Sequence, residues 1–77
     1  MQVQLDNQQI IIRLSKEEFM HSGAYVESLL RSNKVTGYAK EDDTLNCYTI
    51  RAHGTNEQIY CALLQIQEES MTEYYEI

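Results

Sequence analysis

Apolar and polar residues alternate with two different periods along the chain, and the change of period separates strands from helices. The first apolar run, "QIIIRL" (Gln9–Leu14), is short and β-branched, which is typical of a buried strand. "SKEE" follows it, with Ser15 and Glu18 spaced as in an N-terminal capping box. A helix is therefore predicted from about Lys16 to Ser32, with Asn33 ending it in the left-handed conformation.

The apolar residues of this first helix repeat at helical spacing and predict the side that faces the core. They are Phe19, Gly23, Val26 and Leu30, with Leu29 beside them. Next, "KVTGYAK" (34–40) has a lysine at each end and a glycine inside, features that suit the edge strand of a sheet.

"EDDT" (41–44) predicts a turn, and "LNCYTIRA" (45–52) predicts another strand. One face of that strand carries Tyr48, Ile50 and Ala52, and the other carries Leu45, Cys47 and Thr49. Because a strand with apolar groups on both faces is usually flanked on both sides, it is predicted to be central.

A second helix is predicted after Gly54, where Thr55 and Gln58 have the spacing of another capping box. Its core stripe consists of Ile59, Ala62, Leu63 and Ile66. The segment "MTEYYEI" (71–77) is interpreted as a last strand, with continuation of the helix as the alternative. "VQL" (3–5) either begins the first strand or forms a hairpin arm, and the sequence leaves this question open.

The resulting order is β-α-β-β-α-β in a single domain, residues 1–77. Two right-handed strand–helix–strand units that interlock form a ferredoxin-like plait. The predicted fold class is therefore α+β, a four-stranded antiparallel sheet with both helices on one face. The first and third strands are the most apolar and are predicted to be central, whereas the second and fourth are predicted to be edges.

The 77 residues carry a net charge of −6, and the charge is distributed unevenly. Residues 1–40 hold four acids and five bases, whereas residues 41–77 hold eight acids and one base, Arg51. Because an acidic chain repels phosphate backbones, nucleic-acid binding is disfavoured. The acidic second half favours a partner protein with a basic surface.

Neither a membrane span nor a secretory signal is expected, because the longest aliphatic run is Ile10–Ile12 and the N-terminal residues "MQVQLDNQQ" are polar. The two cysteines, Cys47 and Cys61, are expected to be reduced thiols in or near the core, and the protein is expected to be cytoplasmic.

Catalytic and metal-binding patterns are missing from the sequence. His21, His53 and the two cysteines lack the spacing of metal ligands, and the serines lie outside any nucleophile elbow. Glycines 23, 37 and 54 are isolated and cannot form a phosphate-binding loop. We therefore predict no catalytic, cofactor or metal site, and a protein that is not an enzyme.

Some apolar residues lie outside the predicted core and indicate a partner surface. On the second helix, Tyr60 and Leu64 fall on the side away from the core stripe, beside Glu57 and Glu68. Three tyrosines are expected at or near the sheet edges, where this residue type favours interfaces; they are Tyr38, Tyr74 and Tyr75. The main hypothesis is a regulatory interaction domain that docks to a partner protein or self-associates as a homodimer.

The segment "YTIRAHGTNEQIYCALLQI" (Tyr48–Ile66) resembles the last strand and helix of KH RNA-binding domains. "GAYVESLLRSNKVTGYA" (Gly23–Ala39) resembles the segment after the GxxG loop of that family, and residues 21–23, "HSG", stand in place of the loop. The resemblance implies an alternative, a degenerate KH-like module that lacks the GxxG loop. Such a module would bind RNA or another single strand on sheet tyrosines such as Tyr48. A small-ligand sensor is a further alternative.

Overall fold

Helices and strands alternate largely as the sequence pattern predicts in the computed structural model, which describes residues 1–69 and 73–76. The elements, in chain order, are β1 (Gln2–Leu5), β2 (Gln9–Ser15), α1 (Lys16–Ser32), β3 (Thr36–Asp42), β4 (Cys47–His53), α2 (Asn56–Glu69) and β5 (Glu73–Glu76).

The strands form one sheet in the order β3-β4-β2-β1-β5. Each adjacent pair in the series β3-β4-β2-β1 is antiparallel. The last strand, β5, pairs in parallel with β1. The prediction of an α+β protein with a four-stranded antiparallel sheet and two helices is confirmed. The most apolar predicted strands, now β2 and β4, are interior, and "KVTGYAK" contributes to the outer strand β3.

A two-residue turn explains why residues 2–5 form a strand of their own. Asp6 and Gln9 exchange backbone hydrogen bonds of 2.9 and 3.0 Å. Between them, Asn7 and Gln8 have φ values of 49° and 67°. Two successive residues with positive φ are characteristic of the type I′ turn, whose twist matches that of a hairpin. The segment that the sequence left undecided is therefore a hairpin arm, and it separates β2 from β5.

The hydrophobic core lies on one face of the sheet, between the strands and both helices. Alternate residues of the central strands point into it, among them Ile10, Ile12 and Ile50, which are almost completely buried. From α2 the core contains the four predicted residues: Ile59, Ala62, Leu63 and Ile66. Of the residues predicted for α1, Val26 and Leu30 are in the core, whereas Phe19 and Leu29 pack against it and are only partly buried. The other face of the sheet carries no helix among the described residues and is termed the open face.

Helix α1 begins and ends as predicted, but the left-handed residue after it lies one position later than predicted. At the start, Glu18 donates its backbone N–H to Ser15 Oγ (3.1 Å), and Ser15 donates its backbone N–H to Glu18 Oε1 (2.8 Å). At the end, Asn33 is not left-handed; Lys34 is, with φ 62°. The backbone N–H groups of Lys34 and Val35 donate to Arg31 and Leu30, forming a Schellman motif.

The side chain of Asn33 has a different role from the one predicted. Its Nδ2 donates to the Leu29 carbonyl at 2.8 Å and to Gln65 Oε1 at 3.0 Å, linking the end of α1 to α2. At α2, the predicted capping box is present: Gln58 donates its backbone N–H to Thr55 Oγ1 (3.1 Å), and Thr55 donates to Gln58 Oε1 (3.0 Å).

Strand β3 is shifted by two residues from the predicted range 34–40. It begins later because residues 34 and 35 complete the α1 terminus, and it continues through Asp42. The turn follows it, with the Leu45 N–H donating to Asp42 Oδ1 at 3.1 Å and Asn46 at φ 55°. Leu45 was predicted to lie on a face of β4 but lies in this turn. The predicted last strand is observed for Glu73–Glu76, and residues 70–72 and 77 lie outside the described residues.

Candidate interaction surfaces

The outward side of α2 combines apolar and acidic residues. Tyr60 is 59% exposed and Leu64 is 42% exposed, because both lie opposite the core stripe of the helix. Glu57 and Glu68 are exposed on the same side. These four residues are called the outer α2 surface. Their predicted outward position is confirmed, and their role in partner binding stays a prediction.

The three edge tyrosines do not form one surface. Tyr38 is 65% exposed on β3, at one edge of the sheet. Tyr74 and Tyr75 belong to β5 at the opposite edge, and their side chains lie outside the described part of the structure. The residues predicted to bind a partner are therefore divided among α2 and two separate edges.

Tyr48, which the single-strand alternative would use as a stacking platform, lies on the helix-covered side of the sheet. Its ring is half-buried and stacks on Phe19 of α1, with 4.0 Å between the ring centroids and 14° between the planes. This position follows from strand alternation, since Tyr48 shares the core-facing side of β4 with Ile50 and Ala52. Phe19 therefore occupies one of the two faces of this ring on which a base could stack.

Three of the six lysine and arginine side chains lie close together on the open face, and sequence reasoning missed this cluster. Across the strands, Thr49 of β4 pairs with Lys40 of β3 and with Arg13 of β2. Two residues further along β4, Arg51 pairs with Tyr38 on one side and with Ile11 on the other. These pairings place the three cations around a short threonine.

These side chains line a concave region of about 400 Å³. Its lining includes Arg13, Tyr38, Lys40, Thr49 and Arg51, which together are called the basic basin. Leu45, Glu41 and Asp42 complete the rim. Next to the basin, Ile11 is buried although it faces away from the main core.

The cations of the basic basin are available for a ligand. Within the described part of the chain, no ion pair joins Arg13, Lys40 or Arg51 to an acid. Of the two rim acids, Glu41 is already paired, because Lys16 Nζ lies 2.9 Å from its carboxylate. The hydrogen bond and the charge of Lys16 lower the pKa of Glu41, and Glu41 in turn raises the pKa of Lys16.

The alternation of residues along two strands indicated part of the basin. Counting the charges in each half of the chain did not reveal it. Arg13 alternates with Ile12 and Leu14, and Arg51 alternates with Ile50 and Ala52. Strand periodicity therefore places both arginines on the side away from the core. Only the strand order β3-β4-β2 brings them next to each other and to Lys40.

The remaining chemically reactive side chains are dispersed. Cys47 is half-buried and Cys61 is exposed, and both are free thiols. The expectation that both cysteines lie in or near the core is wrong for Cys61, which lies on the solvent side of α2. His21 and His53 are exposed. Among the described residues, no three histidine, cysteine, aspartate or glutamate side chains converge in a way that could hold a metal ion.

The chain matches no protein-family model, and it matches neither a curated protein nor a solved structure. In the part of the chain that the structure describes, neither helix has the length and apolar character required to cross a membrane.

Proposed function

We propose that this chain is a non-enzymatic, cytoplasmic protein-interaction domain with a regulatory role, which docks to a partner protein through the outer α2 surface. The observation that supports the proposal is the exposure of Tyr60 and Leu64 on a helix whose opposite side fills the core. Large apolar side chains in such a position are common in interfaces, where tyrosine provides a large contact area at a small entropic cost.

Energetic considerations favour a partner with basic residues around an apolar pocket. Burying roughly 100–150 Å² of the exposed tyrosine and leucine surface stabilises a complex by about 2–4 kcal/mol. Glu57 and Glu68 add charge complementarity, which increases the association rate and selects the partner. A symmetric homodimer through the same surface would bring these glutamates close to their counterparts, so a different chain is favoured over self-association.

We further propose that the fold is a ferredoxin-like plait extended by one strand. Two strand–helix–strand units, β2-α1-β3 and β4-α2-β5, interlock in the observed strand order, and β1 is inserted between β2 and β5. In this arrangement both helices cover one face of the sheet, so that the outer α2 surface is presented on a rigid layer. Such plaits have many functions, so the functional proposal depends on the surface residues and not on the fold.

The test compares protein capture by three immobilised forms of the chain from lysate of its source cells. The forms are the wild type, the double variant Tyr60→Ala/Leu64→Ser, and the control Met20→Ser, which alters a residue that is 85% exposed on α1. We expect a salt-sensitive partner that the wild type and the control retain and the double variant loses. Capture that is identical for all three forms would contradict the proposal.

Light scattering over a range of concentrations addresses the homodimer alternative. The proposal predicts a monomeric mass at all concentrations for the isolated wild type. A mass that doubles with concentration, and returns to that of the monomer in the Tyr60→Ala/Leu64→Ser variant, would show that this surface serves self-association instead.

A further inference from the structure

We propose that the open face of the sheet binds a single strand of nucleic acid, with its phosphates over the basic basin and a base stacked on the ring of Tyr38. This site lies on the opposite layer from the outer α2 surface and does not depend on the docking proposal.

The sheet register gives the basin dimensions that suit a phosphate backbone. Neighbouring strands lie about 4.8 Å apart, so Arg13 and Lys40, separated by Thr49, have backbones roughly 10 Å apart. Arg51 lies two residues along β4 from Thr49, about 7 Å away. Three long cationic side chains around one short hydroxyl residue can each contact a phosphate of the same strand, while Thr49 Oγ1 can donate a hydrogen bond to one of them.

Tyr38 provides the second element that a single strand requires. Its side chain is 65% exposed and lies directly across the strand pair from Arg51. A base that stacks on such a ring contributes about 1–3 kcal/mol, and the stacking tolerates different sequences because every base has a flat face. A peptide made only of aspartate and glutamate would satisfy the cations equally well but has no aromatic group to stack on this ring. The combination of cations and an exposed ring therefore favours a nucleic acid over an acidic peptide.

The net charge of −6 does not exclude this ligand, because three of the six lysine and arginine residues lie together in the basin. The basin holds three cations and the rim carboxylate of Asp42, while Glu41 is paired with Lys16. Exposed acids of the helices, such as Glu17 and Glu57, lie on the other layer of a domain whose shortest extent is 20 Å. At physiological salt the Debye length is about 8 Å, so those acids are largely screened from the basin.

Fluorescence anisotropy with a labelled single-stranded DNA of twelve thymidines provides the test, at KCl concentrations from 50 to 200 mM. We expect a dissociation constant of about 10⁻⁵ to 10⁻⁴ M at 50 mM, in the range of non-specific binding. Three neutralised phosphates predict a slope of about −2 for log K against log salt, since each contributes about −0.7 for a single strand. The affinity should therefore fall roughly twentyfold between the two ends of the titration.

Variants that each remove one positive charge, inside or outside the basin, distinguish an effect of the basin from an effect of the net charge. Arg13→Gln and Arg51→Gln should each reduce the magnitude of the salt slope by about 0.7 and weaken binding several-fold. Arg31→Gln is the matched control, because Arg31 is an exposed arginine on α1, and it should leave the affinity nearly unchanged. Tyr38→Ala should weaken binding by at least about fivefold, whereas Tyr38→Phe, which keeps the ring, should bind as the wild type does.

Several results would overturn the proposal. These are the absence of binding at 50 mM KCl, equal losses in Arg31→Gln and Arg51→Gln, and equal affinities for Tyr38→Ala and Tyr38→Phe. A poly-glutamate peptide of the same charge that binds as tightly would assign the basin to an acidic protein segment. Thymidine monophosphate that binds as tightly as the oligonucleotide would assign it to a free nucleotide. Circular dichroism of each variant checks that it is folded.

Discussion

Replacing Gly37 with alanine should weaken the attachment of the edge strand β3 to the sheet. Gly37 pairs with Ala52 of β4, and an ideal Cβ atom at Gly37 would lie 2.0 Å from the carbonyl oxygen of Arg51 and 2.5 Å from the Cα atom of Ala52. Ordinary contacts of a Cβ atom begin at 3.4 Å, so the backbones must separate by more than 1 Å. Since the obstacle is backbone, no side-chain rotation can relieve it.

The expected loss of stability follows from this displacement. A shift of more than 1 Å takes ladder hydrogen bonds out of their normal range of about 2.9 Å, at a cost of about 1 kcal/mol for each bond. Overpacking adds roughly 1–3 kcal/mol, and the reduced freedom of the unfolded chain offsets about 0.4–1 kcal/mol. The net expectation for Gly37→Ala is a destabilisation of about 2–3 kcal/mol, or a melting temperature lower by roughly 10–20 °C for a domain of this size.

Urea unfolding followed by far-UV circular dichroism measures this loss, and the chain offers a matched control. At Gly54, the atoms nearest to an added Cβ would be Gln58 Oε1 at 3.1 Å and Val35 Cγ2 at 3.3 Å, which belong to side chains. Gly54→Ala should therefore change the free energy of unfolding by no more than about 0.5 kcal/mol. If the two variants have the same stability, strand β3 tolerates the added methyl group and the inferred close approach of the backbones is wrong.

Two further changes test the core and the surface charges. Ile12→Ala removes most of a completely buried side chain from β2 and should destabilise the domain by about 2–5 kcal/mol, measured by thermal unfolding; a loss below 1 kcal/mol would contradict its central position. Because Lys16 lowers the pKa of Glu41 in the folded state, the pair stabilises the fold above the ordinary pKa of 4.5 and ceases to do so as the pH falls through the lowered value. The difference in urea midpoint between wild type and Glu41→Gln should therefore be constant near neutral pH and disappear in acid, whereas a difference that grows in acid would refute this account.

Local sequence signals predicted the secondary structure well because each signal acts over a few residues. The capping residues Ser15 and Thr55 mark the starts of both helices, and alternation identifies the core faces of β2 and β4. The errors occurred where two local signals compete. At the end of α1, both Asn33 and Lys34 could adopt positive φ, and the hydrogen bonds of the Schellman motif require it at Lys34.

Long-range arrangement was harder to predict, because it depends on which strands become neighbours. The turn at Asn7 and Gln8 lacks the glycine that usually marks a type I′ hairpin, so β1 could not be separated from β2. The basic basin depends on the pairings of β3 with β4 and of β4 with β2, which bring residues 13, 40 and 51 together. Counting charges along the sequence does not show which strands pair and so cannot predict this cluster.

The basic basin gives the open face of the sheet a local charge opposite in sign to the net charge of the molecule. At neutral pH the net charge of −6 opposes adsorption to a negatively charged support, so any contact with such a support is favoured only through the basin. Such a contact would turn the sheet toward the support and leave the outer α2 surface facing the solvent.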